Sequence, residues 1–309
     1  MRTSFELSNL TNAIDNKQSV TLENASHGLC VNIDTQYSSL SLSLFGGHVL
    51  SFIHKKDNKE RLWLSRKAIF DGKTPIRGGI PICWPWFSSH ANESSYPSHG
   101  FARTQMFTLS KVEETLSERE VVSTKLTLVP CKLGLFGYKN LQMKLVVEVS
   151  STLTISIVTN NNSDNAIALT QALHTYLQIN DITSTVLKGV TSDYDDKPSS
   201  TRGNKAPSPY IFTGEVDRIH TFSHSNFSEQ QDIEIFAKEP AQNIAKLMQC
   251  GHDSTVVWNP WQEKSVSMKD MDDDGFKTML CVEAANTQNT EHPLQLEPSQ
   301  MHTLSQTIY

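Results

Sequence analysis

The sequence predicts an all-β protein, an antiparallel sandwich or barrel, and three observations carry that expectation. Short runs alternate apolar and polar residues at period two. Clusters rich in Gly, Pro, Asn, Asp and Ser separate them, such as "NNNSDN" and "DKPSSTRGNKAPSP". Nowhere do strand-like and helix-like runs take turns, as a doubly wound sheet would require.

The elements follow in order. "YSSLSLSL" sets Leu40, Leu42 and Leu44 on one face and serines on the other. "STKLTLVP" is a further strand. "QMKLVVEV" aligns Met143, Leu145, Val147 and Val149, and "LTISIV" aligns Leu153, Ile155 and Ile157. "QDIEIFA", "STVVWNP" and "KTMLCVE" complete the set. The best helical pattern is short and lies near "EPAQNIAKLMQ". The Ser/Pro-rich stretch at 198–209 reads as a surface loop rather than a boundary, so residues 1–309 are expected to form one domain.

Composition excludes several classes. With 38% hydrophobic and 19% charged residues the chain has a globular composition. No run reaches the ~18 apolar residues of a membrane helix, and the first residues lack the apolar core of a signal peptide. Five scattered cysteines make neither a disulfide framework nor a C-x-x-C site, so a cytoplasmic protein with reduced thiols is expected. A net charge of −6 with no basic aromatic stripe excludes nucleic acid as a partner. The same field repels an anionic small substrate, so a phosphate would need arginines placed for it.

One stretch follows neither period. "KTPIRGGIPICWPWFSSHANESSYPSHGFART", residues 73–104, holds Arg77, His90, His99 and Arg103 among prolines, glycines and tryptophans. Long irregular loops in compact domains are mostly functional or disordered, and this one is too aromatic for disorder. Two apparent motifs fail. "DGKT" lacks the first glycine of a phosphate-binding P-loop, since Lys67 stands in its place. "DMDDDG" opens like a calcium loop but has Cys281 where the bidentate glutamate belongs, so a tight acidic turn is the better reading. No histidine spacing favours a metal site.

Three further stretches stand out: "LTQALHTYLQI" with His174, "GEVDRIHTF" with Asp217, and "KTMLCVEAAN", an apolar run ending on Glu283. Singly, each is more simply read as a hydrogen-bonded core residue or a solvated strand end. Together with "GGHVLSF", "ERLWLS", "PIRGGIPICWPWF", "HGFAR" and "VVWNPW", in that family's order, they resemble the hexose-6-phosphate mutarotase branch of the aldose 1-epimerase superfamily. The resemblance runs from about residue 30 to the end of the chain. One departure is Phe107, where the family has tryptophan soon after "HGFAR", a change expected to affect packing.

The resemblance implies a large antiparallel β-sandwich of the galactose mutarotase-like kind, a monomer, and no cofactor or metal. It implies exchange between the α and β anomers of a hexose 6-phosphate, glucose 6-phosphate first among them. Glu283 would be the base at the C1 hydroxyl and His174 the acid at the ring oxygen. His99 would contact the sugar, Asp217 would accept from its hydroxyls, and Arg77 and Arg103 would hold the phosphate. Gly78 and Gly79 would let the backbone approach that phosphate. Trp84, Trp86 and Trp261 are expected in the core rather than on the sugar. Acid work near neutrality would require the His174 pKa to lie somewhat above its ordinary value of about 6.5. The alternatives are a mutarotase for free aldoses and a catalytically silent sugar-phosphate-binding protein.

Overall fold

Alternation at period two becomes strand where neighbouring strands are present to pair with it, and strands are the dominant regular structure of this chain. A computed structural model of the chain describes residues 13–222, 227–238, 241–287 and 293–309. Every named strand pairing is antiparallel. A five-stranded meander runs from Val20–Ala25 to Lys59–Glu60 in sequence order. A nine-stranded sheet has Met301–Ile308 and Leu153–Asn161 near its middle and Phe107–Ser117 at one edge. An eight-stranded sheet is centred on Ser254–Asn259 and Met279–Asn286.

The two large sheets face one another across the main core. Leu145, Val147, Ile155, Ile157, Leu247 and Leu304 meet Leu173, Leu177, Leu280, Val282 and Ala284 there. Polar ties cross the layer and fix its register. Gln306 Nε2 donates to the Val282 carbonyl at 3.0 Å, and Trp84 Nε1 donates to Thr159 Oγ1 at 2.9 Å. The predicted inward faces Leu40–Leu42–Leu44, Met143–Val149 and Leu153–Ile157 are all buried.

Two expectations about secondary structure change. The helix expected near "EPAQNIAKLMQ" is a strand, Gln242–Cys250, hydrogen-bonded on both sides; Glu239 and Pro240 lie outside the described residues. Ala241, Ile244, Ala245 and Met248 mimic helical spacing, but Ala245, Leu247 and Gln249 alternate inward once neighbouring strands are present. Within 198–209 the strand Thr201–Asn204 pairs with Tyr194–Asp196 and forms the edge of the eight-stranded sheet. The acidic turn is real, but it follows a short helix, Trp261–Ser267, rather than a strand. Its carboxylates engage Arg66 and Lys67. No helix among the described residues is long and apolar enough to cross a membrane.

Candidate active site

The strand Met279–Asn286 is buried throughout, so both of its faces need cover. Leu280, Val282 and Ala284 enter the core between the sheets. Side chains alternate, so Cys281 and Glu283 project from the other face. The register brings partners to that face: Val256 lies opposite Glu283, and Trp258 and Tyr176 both lie opposite Cys281. Asp217 lies opposite Trp258. His174 falls in the gap between Gln171–Leu173 and Tyr176–Gln178, both paired to the same strand, and so comes in beside Glu283.

His174 Nδ1 approaches Glu283 Oε1 to 3.3 Å, with the two side chains 13% and 1% exposed. The approach is not aligned as a hydrogen bond, and neither His174 Nδ1 nor Glu283 Oε2 has a hydrogen-bond partner among the described residues. The imidazole is held flat against Tyr176, with centroids 4.9 Å apart and planes at 11°, and meets the Trp258 ring edge to face at 6.1 Å. Buried polar groups are almost always paired, so two orphans side by side mark a place that receives polar atoms from elsewhere.

Electrostatics set the proton inventory of the pair. Burial pushes the Glu283 carboxyl well up, with Asp217 adding to it, and Lys197 and Arg103 pull the other way. Burial pushes His174 well down, helped by His99, Arg103 and Arg77. The expected rise of the His174 pKa is therefore reversed in the unliganded protein: desolvation and neighbouring cations outweigh the carboxyl beside it. Burial thus works against the charged form of both partners at this close contact.

The other predicted residues gather around this pair. His99, at a φ of 64°, accepts the Ser88 N–H through Nδ1 at 3.2 Å, which leaves the ring proton on Nε2. Its ring lies 5.9 Å from that of His174, and burial with nearby cations lowers its pKa to about 3. Arg103 donates to the Ser98 carbonyl at 2.8 Å and has no carboxylate partner among the described residues. Asp217 receives Lys197 Nζ at 3.5 Å.

Arg77 differs from the expectation. Its Nε and a terminal nitrogen grip Asp270 Oδ2, both at 3.1 Å, and another terminal nitrogen donates to the Tyr176 hydroxyl at 2.9 Å. The fork foreseen for phosphate is engaged by the protein's own carboxylate. Gly78 and Gly79 also serve the fold. A Cβ at Gly78 would lie 2.5 Å from the Trp63 carbonyl oxygen, and one at Gly79 would lie 2.2 Å from that of Val49. Trp84 and Trp86 are buried in the core, and Trp261 packs beside it against Phe276, as expected. His90 lies away from the pair, 3.2 Å from the Tyr138 hydroxyl.

Four residues at this site escaped the sequence reading: Tyr176, Cys281, Asp270 and Lys197. Tyr176 and Cys281 stand two positions from His174 and Glu283, so strand periodicity alone could have placed them on the same face. Asp270 reaches the site because the acidic turn folds back on the 65–77 stretch. Lys197 carried no local signal. Its ammonium lies 5.3 Å from the Phe87 ring centroid, and both residues wall a neighbouring cavity of about 480 Å³. For a metal, the donor set is His174, Cys281 and Glu283, whose ligand atoms lie within 4.8 Å of one another.

A two-faced sheet in a β-sandwich, carrying a buried carboxyl–imidazole pair among arginines, defines a class that the comparisons identify. The aldose 1-epimerase family profile matches residues 30–309, and the chain belongs to that family. It is 29% identical over 269 residues to a protein of Escherichia coli (strain K12) named "Putative glucose-6-phosphate 1-epimerase", covering 87% of each chain. It is 32% identical over 267 residues to a protein of Cenchrus ciliaris with the same name, covering 83% of this chain and 77% of that one. A crystal structure of a "putative mutarotase" from Salmonella typhimurium superposes with a TM-score of 0.80 at 27% identity, covering 94% of this chain and 92% of the other. A galactose mutarotase-like protein of Clostridium acetobutylicum shares the fold, with a TM-score of 0.69 at 13% identity.

Proposed function

We infer that this protein interconverts the α and β anomers of a hexose 6-phosphate, with glucose 6-phosphate the first-choice substrate. The observation that carries this reading is the buried His174–Glu283 pair, with an orphaned atom on each partner and a carboxylate-free Arg103 close by. Residues 1–309 are read as one domain, because one buried cluster takes side chains from all three large sheets.

Ring opening needs one proton removed and one delivered. Glu283 as carboxylate takes the proton of the C1 hydroxyl while His174 as imidazolium gives one to the ring oxygen. The bond from C1 to the ring oxygen breaks, C1 becomes an aldehyde, and the C1–C2 bond rotates. Reclosure on the other face returns both protons. After ring opening the carboxyl is protonated and the imidazole neutral, the same state that burial favours in the unliganded protein. The ring-closed complex needs the single proton on His174 instead, so the pair exchanges none with solvent.

A phosphate would help create that state. Arg103 and Arg77 are among the charges that depress His174. A dianion bound against them cancels that effect and raises the imidazole toward protonation. Phosphate thus both anchors the sugar and arms the acid. Asp217 and His99 Nε2–H would hold sugar hydroxyls, and Trp258 and Tyr176 would wall the apolar side.

The ion pair of Arg77 with Asp270 favours a second reading, a mutarotase for free aldoses, because of these two arginines Arg103 alone is left without a carboxylate among the described residues. Anomer exchange measured by NMR on glucose 6-phosphate, glucose and galactose decides between them. Acceleration confined to the phosphorylated sugar supports the first reading. Equal acceleration of all three removes phosphate from the account, and no acceleration by folded protein removes the enzyme.

A further inference from the structure

We propose that His174, Cys281 and Glu283 form a binding site for a thiophilic divalent cation, Zn²⁺ as the probe, whose occupancy blocks the acid–base pair. The donors are an imidazole, a thiol and a carboxyl whose ligand atoms all lie within 4.8 Å of one another. Tetrahedral zinc binds sulfur at about 2.3 Å and nitrogen or oxygen at about 2.0–2.2 Å, so ligand atoms in such a site stand roughly 3.3–3.8 Å apart. Closing the difference takes about 1–1.5 Å of movement by the ligand atoms.

The framework is already rigid. Cys281 and Glu283 sit two positions apart on one face of a central strand, and the stacked Tyr176 ring fixes the plane of His174. His174 Nδ1 and Glu283 Oε2 are both buried without a hydrogen-bond partner among the described residues, so a cation would satisfy donors that the fold leaves open. Three protein ligands leave a fourth position free, as in zinc sites with an open coordination position.

Charge is balanced more evenly than the surrounding cations suggest. Arg77 is matched by Asp270 and Lys197 by Asp217, so Arg103 alone opposes an incoming cation. A thiolate and a carboxylate together offset a divalent ion. Binding expels the Cys281 thiol proton and the proton shared by the pair, and no electron moves. Displacing a buried thiol proton is work that Zn²⁺, Cd²⁺ or Co²⁺ can do through the metal–sulfur bond, whereas Mg²⁺ and Ca²⁺ prefer oxygen ligands.

The blocking arm rests on the acid–base reading of the pair; the binding arm does not. Co²⁺ is titrated into the full chain and the thiolate-to-metal absorption followed, in the wild type, Cys281→Ala and the milder Cys281→Ser. Anomer exchange of glucose 6-phosphate is then measured against Zn²⁺ and Mg²⁺, each protein scaled to its own rate without metal. The expected result is a one-equivalent absorption band in the wild type only. Zn²⁺ abolishes exchange, Mg²⁺ does not, and the variants need at least about tenfold more Zn²⁺ for the same effect. A band that survives both substitutions, equal inhibition of all three proteins, or no band in the wild type overturns the proposal. A band in a protein that exchanges no sugar leaves the site standing and removes the enzyme reading instead.

Discussion

Leu280, Val282 and Ala284 turn toward the nine-stranded sheet into a mainly apolar layer, whereas Cys281 and Glu283, on the opposite face of the same strand, lie beneath loops that bring Arg77, His99, Arg103 and Lys197. Both faces are buried, so burial does not separate scaffold from site. The covering material does. A second sheet covers its partner evenly and pairs its own polar groups in ladders. Loops cover unevenly and leave polar atoms unmatched, as His174 Nδ1 and Glu283 Oε2 are. Histidines elsewhere use a ring nitrogen structurally: His48, His220 and His302 each hold a backbone carbonyl, of Gly78, Ser192 and Gly251, whereas His174 Nδ1 is turned to the Glu283 carboxyl.

Substitutions on the two faces should therefore fail in different ways. Glu283→Gln is expected to lose about 10²–10⁴-fold in anomer exchange while its urea midpoint stays level or rises, because a costly buried acid has gone. Leu280→Ala, its neighbour on the inner face, is expected to cost about 2–5 kcal/mol in urea unfolding with exchange per folded molecule unchanged. An equal loss of stability in both variants would dissolve the distinction between the faces.

Smaller effects sharpen it. Arg103→Ala is expected to raise the KM for glucose 6-phosphate about 10- to 100-fold, the worth of a charged hydrogen bond, and to leave any activity on free glucose unchanged. Arg77→Ala should instead lower stability as well, because it strands Asp270 beside Tyr176. Steady-state kinetics beside thermal melts separates the two arginines.

The mildest test is pH. Burial lowers His48, His220 and His302 to about 4 each, against an unfolded value of about 6.5. Above the unfolded value all three are neutral in both states and their contribution is complete. As pH falls from 6.5 toward 4 the unfolded chain takes up protons that the folded one refuses, and stability declines. Asp253, raised to about 6 by burial, acts in the opposite sense between about 6 and 4, as does the raised Glu283, while the lowered His99 and His174 add to the three histidines. The urea midpoint should fall steadily from pH 7 to 5, and a flat profile would show that these imidazoles are solvated.

The strands were legible because alternation survives wherever one face is apolar and the other polar, as in Leu141–Val149. Gln242–Cys250 was misread because Ile244, Ala245 and Met248, with Ala241 just before the strand, also satisfy helical spacing, and only neighbouring strands decide between the two. His174, Glu283, His99, Arg103 and Asp217 were singled out through their motifs; strand register sets Glu283 and Asp217 in one sheet beside His174, and the 73–104 stretch brings His99 near. What the sequence hid was partnership. Asp270 lies 193 positions from Arg77 and neutralises it, and nothing local to either residue announces the pair.

Met301–Ile308 lies inside the nine-stranded sheet, between Gln242–Cys250 and Leu153–Asn161. A chain growing on the ribosome therefore holds two half-sheets with unsatisfied inner edges until these residues have left the exit tunnel. Contacts this distant in sequence form slowly, and open strand edges invite pairing with other chains. The strand that joins the halves is the keystone, and synthesis interrupted just short of it would release a molecule primed to aggregate.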